Sequence, residues 1–120
     1  MTALLVALGA AVGAPLRYLM DRLVQARVGS RFPWGTLLVN VTGCLVLGGL
    51  AGSTGAPAGV VTVVGTGFCG AFTTYSTFSW ESFRLAEDGA WWAATAYVLG
   101  STAAGLAAGA LAWQLVPWRR

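Results

Sequence analysis

The sequence is that of an all-α membrane protein with four spans, the third broken near its middle. The 120 residues are 57% hydrophobic and only 9% charged, and the mean hydropathy is +0.71. A soluble domain this small has much surface per volume and carries charge on roughly a quarter of its residues. Lipid is therefore the expected solvent for most of this surface. Four apolar stretches also approach the length of about 20 residues needed to cross the hydrocarbon core. Tryptophans mark the ends of these stretches at Trp34, Trp80, Trp91, Trp92 and Trp118, as expected of indole at the membrane–water interface.

The spans cover residues 3–20, 34–52, 58–80 and 91–116, and residues 1–120 form one transmembrane domain. The first span lacks a basic stretch before its apolar run, and hydrophobicity persists to the last residues, so a secretory leader does not explain the composition. Connection 21–33 carries Arg22, Arg27 and Arg31, connection 53–57 is uncharged, and connection 81–90 carries Arg84, Glu87 and Asp88. Gly9 and Gly13, like Gly105 and Gly109, form GxxxG pairs of the kind that lets helix backbones approach in lipid. One such chain makes a thin bundle with little room for a pore, so an oligomer with its path near the interface is expected.

All seven basic residues are arginines, against four acids, for a net charge of +3. They form no basic helix or stripe, which argues against a nucleic-acid partner. Arg22, Arg27, Arg31 and Arg84 fall on one side of the membrane and Arg119 and Arg120 on the other. So small a bias fits a chain that inserts both ways, or one with a modest fixed orientation. Cys44 and Cys69 lie within apolar segments, without CxxC spacing and without any histidine in the chain. They are read as small buried residues rather than zinc ligands.

The third span carries the most informative stretch. Six of the seven residues 73–79 bear hydroxyls, too many to place against lipid. Back-bonding to a carbonyl one turn earlier accounts for one or two of them. Hydroxyls also re-satisfy backbone freed by a helix break, and Gly70 is well placed for one. A break exposes carbonyls suited to cations and amides suited to anions. Tyr75 and Phe78, three apart, share a helical face. Their positive ring edges suit a small anion, while core packing is the plain alternative. Asn40, the sole asparagine, lies inside the second span, where its amide needs a partner or water. It is either an anion donor or an interhelical link. Tyr97 and Ser101, one turn apart with Gly105 continuing the stripe, form a polar track or helix-packing contacts. Arg17 ends the first span as a vestibule charge or an interfacial anchor. Glu81 ends the third span as a vestibule or interfacial residue.

Three motifs resemble those of the Fluc/CrcB family of fluoride channels. Gly13-Ala14-Pro15-Leu16-Arg17-Tyr18 is similar to its first-span element. The run from Gly35 to Gly43, with Thr36 and Asn40, is similar to its second. Gly67-Phe68-Cys69-Gly70, followed by Phe72 to Ser79, is similar to its third. The motifs occur in family order and the resemblance covers nearly the whole chain. It implies an antiparallel, dual-topology dimer with two pores lined by both subunits. It also implies a structural sodium ion on the two-fold axis, held by the carbonyls of Gly70 and Thr73. By the same resemblance Asn40, Tyr75, Phe78, Tyr97 and Ser101 line the fluoride path, with hydroxyls such as Thr74 and Ser76, and Arg17 lies in the vestibule. Tyr75 stands where the family usually has phenylalanine, and Gly105 where the track often continues with a hydroxyl. Some relatives pair two different subunits, so the partner is either an identical chain or a paired homologue.

The implied function is passive fluoride export across the cell membrane by a multi-pass channel that is not an enzyme, reducing cytoplasmic fluoride toxicity. A small proton-coupled multidrug exporter is the alternative, but its chemistry needs a carboxylate deep in a span, and no Asp or Glu is central in any span here. An accessory membrane subunit without a transport path is a third reading, against which the hydroxyl-rich run speaks.

Overall fold

The computed structural model describes residues 1–29, 31–53 and 55–116. Trp118 and the pair Arg119 and Arg120, used above for span ends and orientation, lie outside the described residues. The chain is helical throughout: α1 (Thr2–Val28), α2 (Trp34–Gly52), α3 (Ala58–Val60), a π-helical segment (Val61–Cys69), α4 (Gly70–Phe72), α5 (Ser76–Glu87) and α6 (Trp91–Leu115). The elements from α3 to α5 form one interrupted span. The four candidate spans are Thr2–Val28, Trp34–Gly52, Ala58–Glu87 and Trp91–Leu115. The molecule measures 47 × 29 × 23 Å, its long axis close to the thickness of a bilayer with headgroups.

Two boundaries differ from the sequence reading. The first helix continues past residue 20 to Val28, and α5 runs through Glu81 to Glu87. Both extensions are polar and helical, which hydropathy alone reads as loop. At 1.5 Å per residue the 27 residues of α1 span about 40 Å, so its last turns pass from hydrocarbon into the headgroup region. Turns close where glycine supplies positive φ, 84° at both Gly29 and Gly89, a conformation that side chains with a Cβ resist.

Backbones meet along glycine seams. A Cβ on Gly9 would stand 2.7 Å from the Phe68 amide nitrogen and 2.9 Å from the Gly67 Cα, so α1 lies directly on the π-helical segment. A Cβ on Gly48 would stand 2.8 Å from the Gly109 Cα, joining α2 to α6. Lipid tails are as apolar as leucine, so close packing of this kind is what drives association. The buried core is correspondingly small. Leu85, Ala94 and Tyr97 centre it, with Phe32, Leu37 and Phe78 packed around them. Leu4, Leu8, Leu99, Leu106 and Leu111 face outward, as a lipid-bathed surface requires.

Candidate functional site: a broken span beside a hydroxyl-lined groove

The third span breaks at Thr73, not at Gly70. Gly70 keeps helical backbone, φ −61° and ψ −36°, whereas Thr73 is extended at φ −80° and ψ 159°. Asn40 supplies a reason. Its Oδ1 accepts the Thr74 amide at 3.0 Å, and its Nδ2 donates to the Thr74 carbonyl at 3.3 Å. A side-chain amide thus binds both polar groups of one residue, in place of the helical partners they would otherwise have. Thr73 closes the preceding turn, its amide donating to the Cys69 carbonyl at 2.9 Å and its hydroxyl to the same carbonyl at 2.8 Å. Thr74 Oγ1 accepts the Thr77 amide at 3.2 Å and so starts α5. Hydroxyls therefore repair part of the broken ladder.

The remaining groups are left open. Among the described residues no amide or side chain donates to the carbonyls of Gly70, Ala71, Phe72 or Thr73. Gly70 has open space over its Cα, where no atom comes within 4 Å of the position a Cβ would take. Carbonyls of unwound backbone are the donors a hard monovalent cation takes in membrane proteins. The residues that the resemblance assigns to sodium, Gly70 and Thr73, both line one open groove and fit such an ion in chemistry.

That groove has a volume of about 450 Å³ and runs past Asn40, Thr74, Tyr75, Phe78 and Ser101. Tyr75 and Phe78 lie with ring centroids 6.4 Å apart and planes tilted by 36°, but their settings differ. Tyr75 is 82% exposed and projects from the break. Phe78 packs on Tyr97, centroids 5.0 Å apart, so one ring faces outward and the other is anchored in the core. Ser76 is exposed at the first turn of α5.

Tyr97 is fully buried, and among the described residues no group meets hydrogen-bond geometry with its hydroxyl or with the buried Ser101 Oγ. A buried polar group left unpaired costs about 1–3 kcal/mol, and orphaned groups in a native structure call for a reason. Other hydroxyls show what a purely structural role looks like. Thr42 donates to Leu38, Thr62 to Ala58, Ser82 to Phe78 and Thr102 to Val98, each four residues back. Tyr97 and Ser101 lack that local solution.

Arg17 lies at a second cavity of about 180 Å³, with Tyr18, Asp21, Thr36, Val39, Thr74 and Thr77. Thr74 borders both cavities, so the break forms their common wall. The Thr36 hydroxyl donates to Glu81 Oε1 at 2.5 Å, which ties α2 to α5 beside this cavity. Sequence reading missed Thr36 as a polar contact, although its spacing of four from Asn40 places the two on one helical face. It missed Asp21 by assigning it to a loop.

These features define a multi-pass membrane protein with a polar seam between its helices. Residues 4–113 match the family model described as CrcB-like protein, Camphor Resistance (CrcB). The chain is 58% identical to fluoride-specific ion channel FluC 1 of Streptomyces avermitilis, over 88% of this chain and 87% of that one. It is 58% identical to FluC 1 of Frankia casuarinae over 90% of each chain, and 47% identical to FluC 1 of Thermobifida fusca over 98% of each. The chain belongs to the CrcB family.

Proposed function

We propose that this chain is the subunit of a fluoride-selective channel that exports fluoride passively. The observation that carries the reading is a groove lined by the Ser101 hydroxyl, which has no partner among the described residues, together with Asn40 and the edge of the helix break; the buried Tyr97 hydroxyl lies behind it, against Phe78. Membership of a family whose named members are fluoride channels supports it.

Fluoride sheds tightly held water only where donors replace it. Asn40 has a second Nδ2 proton beyond the one given to Thr74. The Ser101 hydroxyl and exposed Ser76 add donors that carry no charge, and the ring edges of Tyr75 and Phe78 add weakly positive C–H groups. Several weak contacts in series let an ion enter and leave, which a single deep site would prevent. Arg17 forms no hydrogen bond or ion pair among the described residues and draws anions to the mouth. Fluoride reaches the cell as membrane-permeant HF in acidic surroundings and is trapped on dissociation. The membrane potential, negative inside, then favours exit by about 2.3 kcal/mol per charge per 100 mV.

A single bundle leaves the 450 Å³ groove open along its side. We place a second, antiparallel copy or paired homologue across it, closing two symmetric paths. Gly70 and Thr73 of both subunits would then hold a sodium ion, whose positive charge braces the break and offsets repulsion between the facing carbonyls. The open side of the groove and the open carbonyls support this assembly.

Electrode-detected efflux from liposomes containing only the purified chain tests the function. Fluoride release on addition of a potassium ionophore, without a proton gradient, is the expected result. Release no faster than from empty liposomes overturns the claim that this chain suffices. Assembly has its own test: in a Cys44→Ser, Cys69→Ser background, one engineered loop cysteine labels from both faces of the membrane if the chain inserts both ways. Labelling from one face alone excludes an antiparallel dimer of identical chains.

A further inference from the structure

The smaller cavity holds two opposite charges that do not neutralise each other. Arg17 and Asp21 lie one helical turn apart on α1 and both line it, yet no ion pair joins them among the described residues. Asp21 is held from two other directions. Gln25 Nε2 donates to its Oδ2 at 3.1 Å, and its Oδ1 rests on the bare backbone face of Gly35 at the start of α2. Gly35 is buried and has no Cβ to displace that oxygen. Asp21 stands about 29 Å along α1 from Thr2 at 1.5 Å per residue, near the edge of the hydrocarbon layer. Across the cavity are Thr36, bonded to Glu81, and Thr74, bonded to Asn40. Asp21 thus shares a cavity with Thr36 and Thr74, the two residues that lead from it to Glu81 and to the break.

We propose that Asp21 is a tuning charge at the mouth of the ion path, opposing Arg17 and setting how readily the mouth takes up fluoride. The inference rests on the channel reading and adds a residue to it. Structural needs alone do not call for a carboxylate: an asparagine could accept from Gln25 and lie equally well on Gly35. What asparagine lacks is the negative charge. A unit charge about 10 Å from an ion in a wet mouth changes its occupancy by about two- to fivefold. Asp21 thus weakens anion uptake while speeding release, a compromise that serves throughput when fluoride is abundant.

The test measures initial efflux against fluoride concentration for wild type, Asp21→Asn and Asp21→Glu in liposomes. Asp21→Asn lowers the half-saturating concentration by about two- to fivefold, with maximal rate changed less. Asp21→Glu stays near wild type, and the difference shrinks as an inert background salt is raised. If Asp21→Asn fails to elute as folded protein, Asp21→Ser, neutral and smaller, carries the same expectation. An unchanged half-saturation in the neutral variants, or an equal shift in Asp21→Glu, overturns the proposal. Absence of fluoride flux from wild type in the same series sinks the channel reading itself and this inference with it. A melting curve on each variant separates loss of packing on Gly35 from loss of charge.

Discussion

Where α1 crosses the π-helical segment, Gly9 and Gly67 bring two backbones into direct contact, backbone atom against backbone atom. Where α2 passes the third-span break, Asn40 grips Thr74, and among the described residues carbonyls stay open and two buried hydroxyls have no partner. The first region is complete within one chain. The second keeps polar groups whose cost in lipid is not offset inside the chain. The contrast separates two kinds of contact: glycine seams fix the bundle, and the incomplete seam is the one that the proposed channel reading fills with an ion and a neighbouring subunit.

Substitutions sharpen that contrast. Asn40→Asp has the largest effect. It places a negative charge in the proposed path, and a charge within the membrane costs about 2.5–3.5 kcal/mol, enough for a flux loss of about 100-fold. It also removes the donor to the Thr74 carbonyl. Efflux measured on protein that still elutes as a single species checks this, and unchanged flux would return Asn40 to helix packing. Phe78→Ile comes next. It keeps the site apolar but loses a ring quadrupole worth about 0.5–1.5 kcal/mol, for a flux loss of up to about tenfold. Full activity would mean that the Phe78 ring serves only to pack on Tyr97.

Gly48→Val probes the other region. Its side chain meets the Gly109 backbone, and overpacking of this kind costs about 1–3 kcal/mol. The expected outcome is a lower melting temperature and yield, with flux per folded channel retained. A selective loss of flux in fully stable protein would erase the distinction between the seams. Tyr75→Phe has the smallest effect. The hydroxyl departs from the usual family residue while the ring edge stays, so flux changes by less than about twofold. A large loss would make the phenol a ligand in its own right.

Much of the fold was legible because hydropathy and interfacial tryptophans report the same boundaries. Residues 34–52 and the start of the fourth span at Trp91 coincide with α2 and α6. The polar ends of α1 and α5 were not legible, since a helix leaving the membrane loses its apolar signal before it loses its hydrogen bonds. The break was foreseen from the hydroxyl run but placed at Gly70, where local flexibility suggests it. It falls at Thr73 because Asn40, over thirty residues away in sequence, binds Thr74. No local pattern encodes that contact. The same holds for Thr36 and Glu81, separated by 45 residues, and for the complete burial of Tyr97.

The decisive measurement is the reversal potential of the purified wild-type channel in a planar bilayer with fluoride on one side and chloride on the other. The proposed path, lined by Asn40, Ser101 and ring edges, would strip fluoride of water and hold it with small, closely set donors. The potential should therefore lie near the limit set by fluoride alone. A value near zero, with chloride carrying comparable current, would contradict a selective fluoride path through the broken span.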